Sequence, residues 1–117
     1  MLGIVRGSRI IEEKPLLKLK PNCEFCDKDL PPESENAMIC SYECTFCREC
    51  TENLLANVCP NCGGGFMPRP VRPVIARREG TGLEYHPASK ERVHSCYSRA
   101  EIESFSQEIK NVPPSKR

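Results

Sequence analysis

Residues 23–62 read CEFCDKDLPPESENAMICSYECTFCRECTENLLANVCPNC and hold eight of the nine cysteines of this 117-residue chain. The spacing is C-x2-C-x13-C-x3-C-x2-C-x2-C-x8-C-x2-C. Both sulfurs of a C-x-x-C turn can bind one metal ion, and such close pairs are poor disulfide partners for each other. Eight thiolates complete two closed, tetrahedral, structural zinc sites with no ligand left over. The candidate ligands are Cys23, Cys26, Cys40, Cys44, Cys47, Cys50, Cys59 and Cys62.

The start of the chain bears on whether these thiols are free to bind metal. MLGIVRGSRIIEEKPLLKLK contains neither the apolar run nor the small-residue cleavage site of a secretory signal. We therefore predict a cytoplasmic protein, and in a reducing cytosol closely spaced cysteines favour metal over disulfides. The chain also contains no run of about 18 apolar residues, so no membrane span is expected.

Composition predicts one small zinc-dependent domain with extensions on both sides. Apolar residues, cysteines included, are 38% of the chain and aromatic residues only 6%, too few for a core of ordinary size. Each structural zinc ion contributes roughly 10–16 kcal/mol to folding, so we expect a metal-stabilised α+β module that unfolds without its metal. It should contain a short hairpin around Cys40 and Cys44 and a short helix that begins at Thr51.

The rest of the chain divides by composition. Ser98 and Glu101 match a capping box, and the apolar residues that follow fall on one helix face. Because so short a helix is marginal alone in water, it either docks on the zinc module or binds a partner. The predicted segments are a flexible leader at 1–18, the cysteine-rich domain at 19–67, a Pro/Arg-rich extended linker at 68–97, an amphipathic helix at 98–111 and a disordered tail at 112–117.

Charge is distributed unevenly along the chain. Residues 23–62 carry eight acidic and two basic side chains, a net charge of −6, in a protein whose total is +1. A surface of that sign repels phosphate, so the cysteine-rich domain is a poor nucleic-acid binder. A nucleic-acid-associated regulator that uses the linker is the alternative function, although a solvated basic run is the simpler interpretation. The basic run consists of Arg69, Arg72, Arg77 and Arg78.

The order of the cysteines resembles that of RING-type zinc fingers, which the strings FCREC (46–50) and CPNC (59–62) also resemble. In that family the first and third ligand pairs bind one zinc ion, and the second and fourth pairs bind the other. The resemblance implies interleaved sites, whereas spacing alone leaves a sequential pairing (23/26/40/44 and 47/50/59/62) open. The implied ligands are Cys23, Cys26, Cys47 and Cys50 for site 1, and Cys40, Cys44, Cys59 and Cys62 for site 2.

The chain also departs from the RING pattern. Cys44 stands where a histidine is usual, and Gly63 follows the last ligand where a basic residue often supports ubiquitin transfer. Phe25, Leu54 and Pro60 do occupy positions at which ubiquitin-conjugating enzymes are commonly contacted. A ubiquitin-ligase-like adaptor is therefore a further alternative function, implied by the resemblance alone.

A second resemblance covers about residues 19–93. LKPNCEFCDKDLPP (19–32), ICSYECTFC (39–47) and VCPNCGG (58–64), with the later RPVRP (69–73) and HPASK (86–90), are similar to a family of short, uncharacterised bacterial proteins. This resemblance implies a zinc fold and a bacterial cytosol, and it makes a ubiquitin ligase improbable. It implies no mechanism.

No catalytic constellation is present in the sequence, which has no glycine-rich phosphate loop, serine elbow or paired-histidine helix. We predict a non-enzymatic zinc-binding protein that acts as a protein-interaction module. Its candidate surfaces are the acidic face formed by the charged residues of 23–62, a ridge at Leu54 and Leu55, and the C-terminal helix. For the two leucines, burial in a small core is the simpler interpretation. Cys96, which has His94 and, further off, His86 nearby, is interpreted as a free thiol beside two surface histidines; a third metal site or a redox thiol is the alternative. A thiol-based redox or zinc sensor is a further alternative function of the protein.

Overall fold

Three short strands and one short helix form the regular structure of the cysteine-rich part of the chain that the structure describes. The computed structural model describes residues 16–117, so residues 1–15 of the predicted leader lie outside the described residues. The elements are β1 (Ala37–Ile39), β2 (Thr45–Cys47), α1 (Arg48–Asn53), β3 (Met67–Pro68), α2 (Arg99–Ile109) and a 3-10 helix (Pro114–Lys116). The three strands form one antiparallel sheet in the order β2-β1-β3. The chain is therefore a small α+β fold.

The hairpin of β1 and β2 is the predicted one. Met38 lies opposite Phe46, and the Cys40 N–H donates to the Cys44 carbonyl at 3.2 Å across the turn. Glu43 adopts a positive φ of 66°, which lets the chain reverse between the two cysteines. The hairpin thus carries one thiol at the end of β1 and another just before β2.

Helix α1 begins at Arg48, three residues before the predicted start at Thr51. The cap is the thiol of Cys47, whose sulfur accepts the Cys50 N–H at 3.4 Å. The predicted start was wrong because sulfur is absent from the usual list of N-cap side chains, which favours threonine. Leu54 then ends the helix, and Ala56 and Asn57 follow with positive φ.

A small apolar core lies between the sheet, α1 and α2. Phe46 is fully buried and meets Phe66 edge-on, with ring centroids 5.6 Å apart. Leu54, Leu55 and Val58 are all buried, which confirms that they belong to a core and form no exposed ridge. Several cysteines lie in the same cluster, so the core and the thiols share one interior.

Helix α2 docks on the cysteine-rich domain. It carries the predicted capping box, in which the Ser98 hydroxyl accepts the Glu101 N–H and the Glu101 carboxylate accepts the Ser98 N–H. Ile102 is 1% exposed within the core, and the Ser106 hydroxyl donates to the Leu55 carbonyl at 2.9 Å. Burial of this apolar face supplies the stabilisation that a short amphipathic helix lacks in isolation. None of the helices in residues 16–117 is long and apolar enough to cross a membrane.

The predicted linker, residues 68–97, returns to the domain at several points, and two of its arginines make the connection. Arg69 is 4% exposed, and its guanidinium donates to the carbonyls of Lys20, Leu30 and Pro31 at 2.8–3.2 Å. Arg72 donates to the carbonyls of Leu17 and His86 at 2.6 and 2.7 Å. These arginines therefore join separate segments of backbone, whereas composition alone suggested a solvated run.

The last residues, 112–117, for which composition predicts disorder, pack against the same domain. The Arg117 guanidinium donates to the carbonyls of Asn57 and Gly63 at 2.7 and 3.2 Å. Pro114 lies against Gly65, where an added Cβ would meet the proline ring at 3.1 Å. A terminal arginine that satisfies two loop carbonyls gives this short segment a fixed position.

Arg69→Met tests the role of the buried guanidinium. The change keeps the aliphatic stem but leaves three carbonyls without their donor, so we expect the free energy of unfolding to fall by about 2–4 kcal/mol. Urea denaturation of the metal-loaded protein, followed by circular dichroism, measures the change. The matched control is Arg77→Met at an exposed position of the same run, expected to stay within about 0.5 kcal/mol of wild type. Equal losses for both variants would contradict this role.

Candidate metal centre

The first candidate centre lies where the turn before β1 meets the junction of β2 and α1. The sulfur atoms of Cys23, Cys26, Cys47 and Cys50 all lie within 4.8 Å of one another. Cys26 Sγ and Cys47 Sγ are 3.8 Å apart, which equals the edge of a sulfur tetrahedron around a metal bonded at about 2.3 Å. The group unites the first and third cysteine pairs of the sequence, the set predicted for site 1.

The second candidate centre lies at the turn of the hairpin. The sulfurs of Cys40, Cys44 and Cys59 lie within 4.8 Å of one another, and all three residues are buried. Cys62, the fourth residue predicted for site 2, is exposed and stands outside this group. The structure thus brings together three of the four residues predicted for this site.

Backbone N–H groups point at the sulfurs in both centres. Cys23 Sγ accepts from the N–H groups of Phe25 and Cys26 at 3.4 and 3.5 Å. Cys40 Sγ accepts the Tyr42 N–H at 3.3 Å, and Cys62 Sγ accepts the Gly64 N–H at 3.4 Å. The turns therefore orient these sulfurs through backbone donors.

A buried carboxylate borders the second centre. Glu24 is 3% exposed, and its oxygens accept from the Thr45 N–H at 2.8 Å, the Lys20 ammonium at 3.0 Å and the Asn61 amide at 3.4 Å. In the sequence Glu24 is one of the eight acidic residues of 23–62, and nothing distinguishes it from the other seven. Its partners come from distant parts of the chain, so no local sequence signal could have identified it.

Crowding and burial change the acidity of the thiols. Burial raises the pKa of Cys40 to about 11. Burial also raises the pKa of Cys50, and the neighbouring thiols raise it further. The hydrogen bond between Cys44 and Cys59 lowers the pKa of Cys44 to about 6 and raises that of Cys59. Thiols so close together cannot all ionise without a compensating cation.

The donor sets therefore suit a soft divalent metal ion. All nine cysteines are free thiols, and two groups of them could hold metal ions. A divalent cation supplies the charge that lets several crowded thiols ionise together, and four-sulfur tetrahedral coordination is typical of zinc. The arrangement is consistent with zinc at both centres.

The remaining sequence candidates lie apart from these groups. Cys96 is exposed and belongs to neither cluster. His94 Nε2 lies 3.0 Å from Asp27 Oδ1, and Arg92 Nε donates to the same oxygen at 3.0 Å. These two contacts lower the pKa of Asp27, the Arg92 hydrogen bond more than that of His94. His94 thus contacts the loop after Cys26 and has no thiol partner in the described part of the chain.

Metal loading should release protons. Thiols with raised pKa values hold their protons at pH 7 and must lose them on binding, so rising pH strengthens binding and falling pH weakens it. We expect the logarithm of the zinc affinity to rise by more than one unit per pH unit between pH 6 and 8. Calorimetry in buffers of different ionisation enthalpy counts the protons directly. Cys96→Ser should leave the slope unchanged, and a slope near zero would contradict the thiolate ligand set.

Comparison with known proteins places the chain among relatives. Residues 16–72 match the family described as "Protein of unknown function (DUF1272)". An uncharacterized protein of Rhizobium meliloti (strain 1021) is 54% identical over 78 residues, which span 67% of this chain and 86% of that protein. No solved structure matches the chain significantly, so a RING-like or treble-clef-like fold stays a prediction. With this identity over most of the relative's length, the chain belongs to the DUF1272 family.

Proposed function

We propose that this protein is a non-enzymatic module in which two zinc ions stabilise a surface that binds another protein. The observation that carries the zinc proposal is the convergence of seven thiols, distant in sequence, into two groups with sulfurs within 4.8 Å. Backbone N–H groups already point at several of these sulfurs. A closed four-sulfur site leaves no position for a reacting water molecule, so the metal's role is structural.

The first group supports interleaved pairing. Cys23 and Cys26, which precede the hairpin, meet Cys47, the last residue of β2, and Cys50 of α1. In the sequential alternative their partners would be Cys40 and Cys44, two thiols that belong to the second group. Each zinc ion would then join segments on both sides of the other site, so the two sites fold as one unit. Cys62 completes the second site in this proposal.

Contacts of α2 weigh against a ubiquitin-ligase adaptor. The Arg99 guanidinium carbon lies 5.2 Å from the centroid of the Phe25 ring, Leu54 is buried, and Pro60 borders the same small cleft as Ile102 and Phe105 of α2. Phe25, Leu54 and Pro60 are the residues that the RING resemblance assigns to a conjugating enzyme. The approach of α2 to Phe25 and Pro60 and the burial of Leu54 leave little of that surface for a conjugating enzyme.

Exposed apolar side chains support a protein partner instead. Val71, Val74 and Ile75 are 55–69% exposed, and Tyr85 is 55% exposed. The Arg72 guanidinium, bonded to carbonyls of two other segments, holds this part of the chain against the domain. Apolar residues held exposed by a rigid framework are typical of interaction surfaces. We call residues 71–75 the apolar loop.

The nucleic-acid alternative has less support. Two of the four arginines in the basic run, Arg69 and Arg72, donate to backbone carbonyls. Phosphate binding would have to depend on Arg77 and Arg78, beside the acidic Glu79. Two such cations provide little of the charge that a nucleic-acid site requires.

Elemental analysis tests the metal proposal. Protein purified without chelators should contain two zinc ions per chain, and Cys47→Ser should lower that number to one or none because a buried ligand of the first site is lost. Removal of zinc by a chelator should abolish the cooperative thermal transition, since the apolar core alone is small. Cys96→Ser is the matched control, with full zinc content expected. Zinc-free protein with an unchanged transition would contradict the proposal.

The apolar loop is tested separately. Val74→Ser combined with Ile75→Ser removes two exposed apolar side chains, each able to contribute about 1.5–3 kcal/mol when buried in an interface. Capture of a partner by the zinc-loaded protein, quantified by mass spectrometry, should fall at least about tenfold. Tyr42→Ser, at an equally exposed position on the hairpin turn, should leave capture unchanged. Equal capture by all three proteins would contradict this location of the interface.

A further inference from the structure

We propose that the two centres differ in function: the second exchanges its metal through Cys62, whereas the first retains its metal. This inference rests on the proposed zinc occupancy of both centres. In the second centre, Cys62 is the ligand that leaves and returns. The incoming ligand is a small soluble thiol. The inference starts from the unequal geometry of the two groups.

The second centre is a buried group of three thiols with an exposed fourth. Cys40, Cys44 and Cys59 are 4%, 9% and 0% exposed, and their sulfurs lie within 4.8 Å of one another. Cys62 is exposed and stands outside the group. Three fixed thiolates can keep a zinc ion in place while the fourth position changes its occupant, as in sites with an open coordination position.

Exposure alone does not distinguish Cys62, because Cys26 of the first centre is exposed as well. The sulfur of Cys26, however, already lies with its three partners, 3.8 Å from that of Cys47. The chain that leaves Cys26 is also held firmly. The carboxylate of the next residue, Asp27, accepts from Asn22, Arg92 and His94, each at 3.0 Å.

The chain that leaves Cys62 has no side chain of its own that could anchor it as Asp27 anchors the other turn. Three glycines follow Cys62, and Gly63 has a φ of +80°. Gly63 is held through its backbone, which donates to the Cys59 carbonyl at 2.7 Å and accepts from Arg117 at 3.2 Å. Loss of residues that orient a metal ligand typically costs about 10–100-fold in metal affinity. The better-oriented Cys26 should therefore hold its metal longer than Cys62.

The surroundings of the second centre are negatively charged. The buried Glu24 carboxylate lies beside it, bonded to the N–H of Thr45, and Lys20 offsets part of that charge from 3.0 Å. Exchange of one thiolate for another leaves the charge of a four-sulfur site unchanged, so exposure decides which ligand leaves. Cys62 is the exposed ligand of this centre and leaves at the smallest structural cost.

The exchange is a ligand substitution without oxidation or reduction. A soluble thiolate approaches from the exposed side and forms a zinc–sulfur bond as the bond to Cys62 breaks. The Cys62 thiolate then takes a proton from solvent. The zinc ion remains divalent throughout and either returns to Cys62 or leaves with the incoming thiol. Cys40, Cys44 and Cys59 keep their positions until the metal departs.

The test follows zinc count and thiol reactivity together in the Cys96→Ser protein, which removes the exposed thiol outside both groups. Native mass spectrometry first establishes the zinc count. Zinc transfer is then started with reduced glutathione as the soluble thiol and a colorimetric zinc chelator as the final acceptor. A parallel sample without glutathione receives limiting N-ethylmaleimide, because the soluble thiol would otherwise consume the maleimide. We expect one zinc ion to leave at least about tenfold faster than the other. Peptide mapping should show Cys62 alkylated first and Cys26 protected.

Each outcome decides a different claim. Fewer than two zinc ions at the start contradicts the proposed function, and this inference with it. Two ions that leave at one rate, or Cys26 alkylated as fast as Cys62, overturn this inference and leave the proposed function standing.

A pair of variants from one turn provides the second measurement. Cys62→Ser should keep both the fold and the first zinc ion, and it should bind the second ion more weakly but measurably. Cys59→Ser removes a thiol from the buried group and should abolish binding of the second ion. If both variants lose the second ion to the same extent, as measured by competition with a chelator, Cys62 has no special role.

Discussion

The two groups contain seven thiols, and five of these share a buried interior with fewer than twenty apolar side chains. The mutual repulsion of these thiols as thiolates limits how the chain can fold. Without a cation, burial and crowding keep several of them protonated. With a divalent ion at each group, the close approach of the sulfurs stabilises the fold, because each ion attracts every thiolate around it. The hairpin, α1 and the turn at Cys59 all meet at these groups. Their geometry follows from where the sulfurs must lie.

Arginine and asparagine side chains provide a second kind of cohesion. Arg69, Arg72 and Arg117 each donate to carbonyls from segments far apart in sequence. The fully buried Asn22 does the same, donating to the Val93 carbonyl and accepting the Val93 N–H. A chain with so much irregular backbone has many carbonyls to satisfy, and multidentate donors satisfy several at once. This explains how residues 69–97 follow the domain closely without further strands or helices before α2.

The position of α2 connects the fold to the functional proposals. By packing on Leu55 and approaching Phe25 and Pro60, it uses the surface that the RING resemblance assigns to a conjugating enzyme. The apolar loop at 71–75 stays exposed, which is the observation behind the proposed protein-binding surface. The two metal groups contribute differently as well, since one contains four converged sulfurs and the other three. A stable first centre and an exchangeable second one are compatible with a single folded domain.

Much of the site could be predicted from the spacing of the cysteines alone, because C-x-x-C turns restrict both sulfurs to one metal. The hairpin at Cys40 and Cys44 and the capping box at Ser98 are likewise local patterns, and both were predicted. The start of α1 was not, because its cap is the Cys47 sulfur. The tertiary structure decided three other features. These are which cysteine pairs meet, which residues satisfy distant carbonyls, and the burial of Glu24 while its acidic neighbours are exposed. Those features depend on contacts between residues far apart in sequence, and local periodicity carries no record of such contacts.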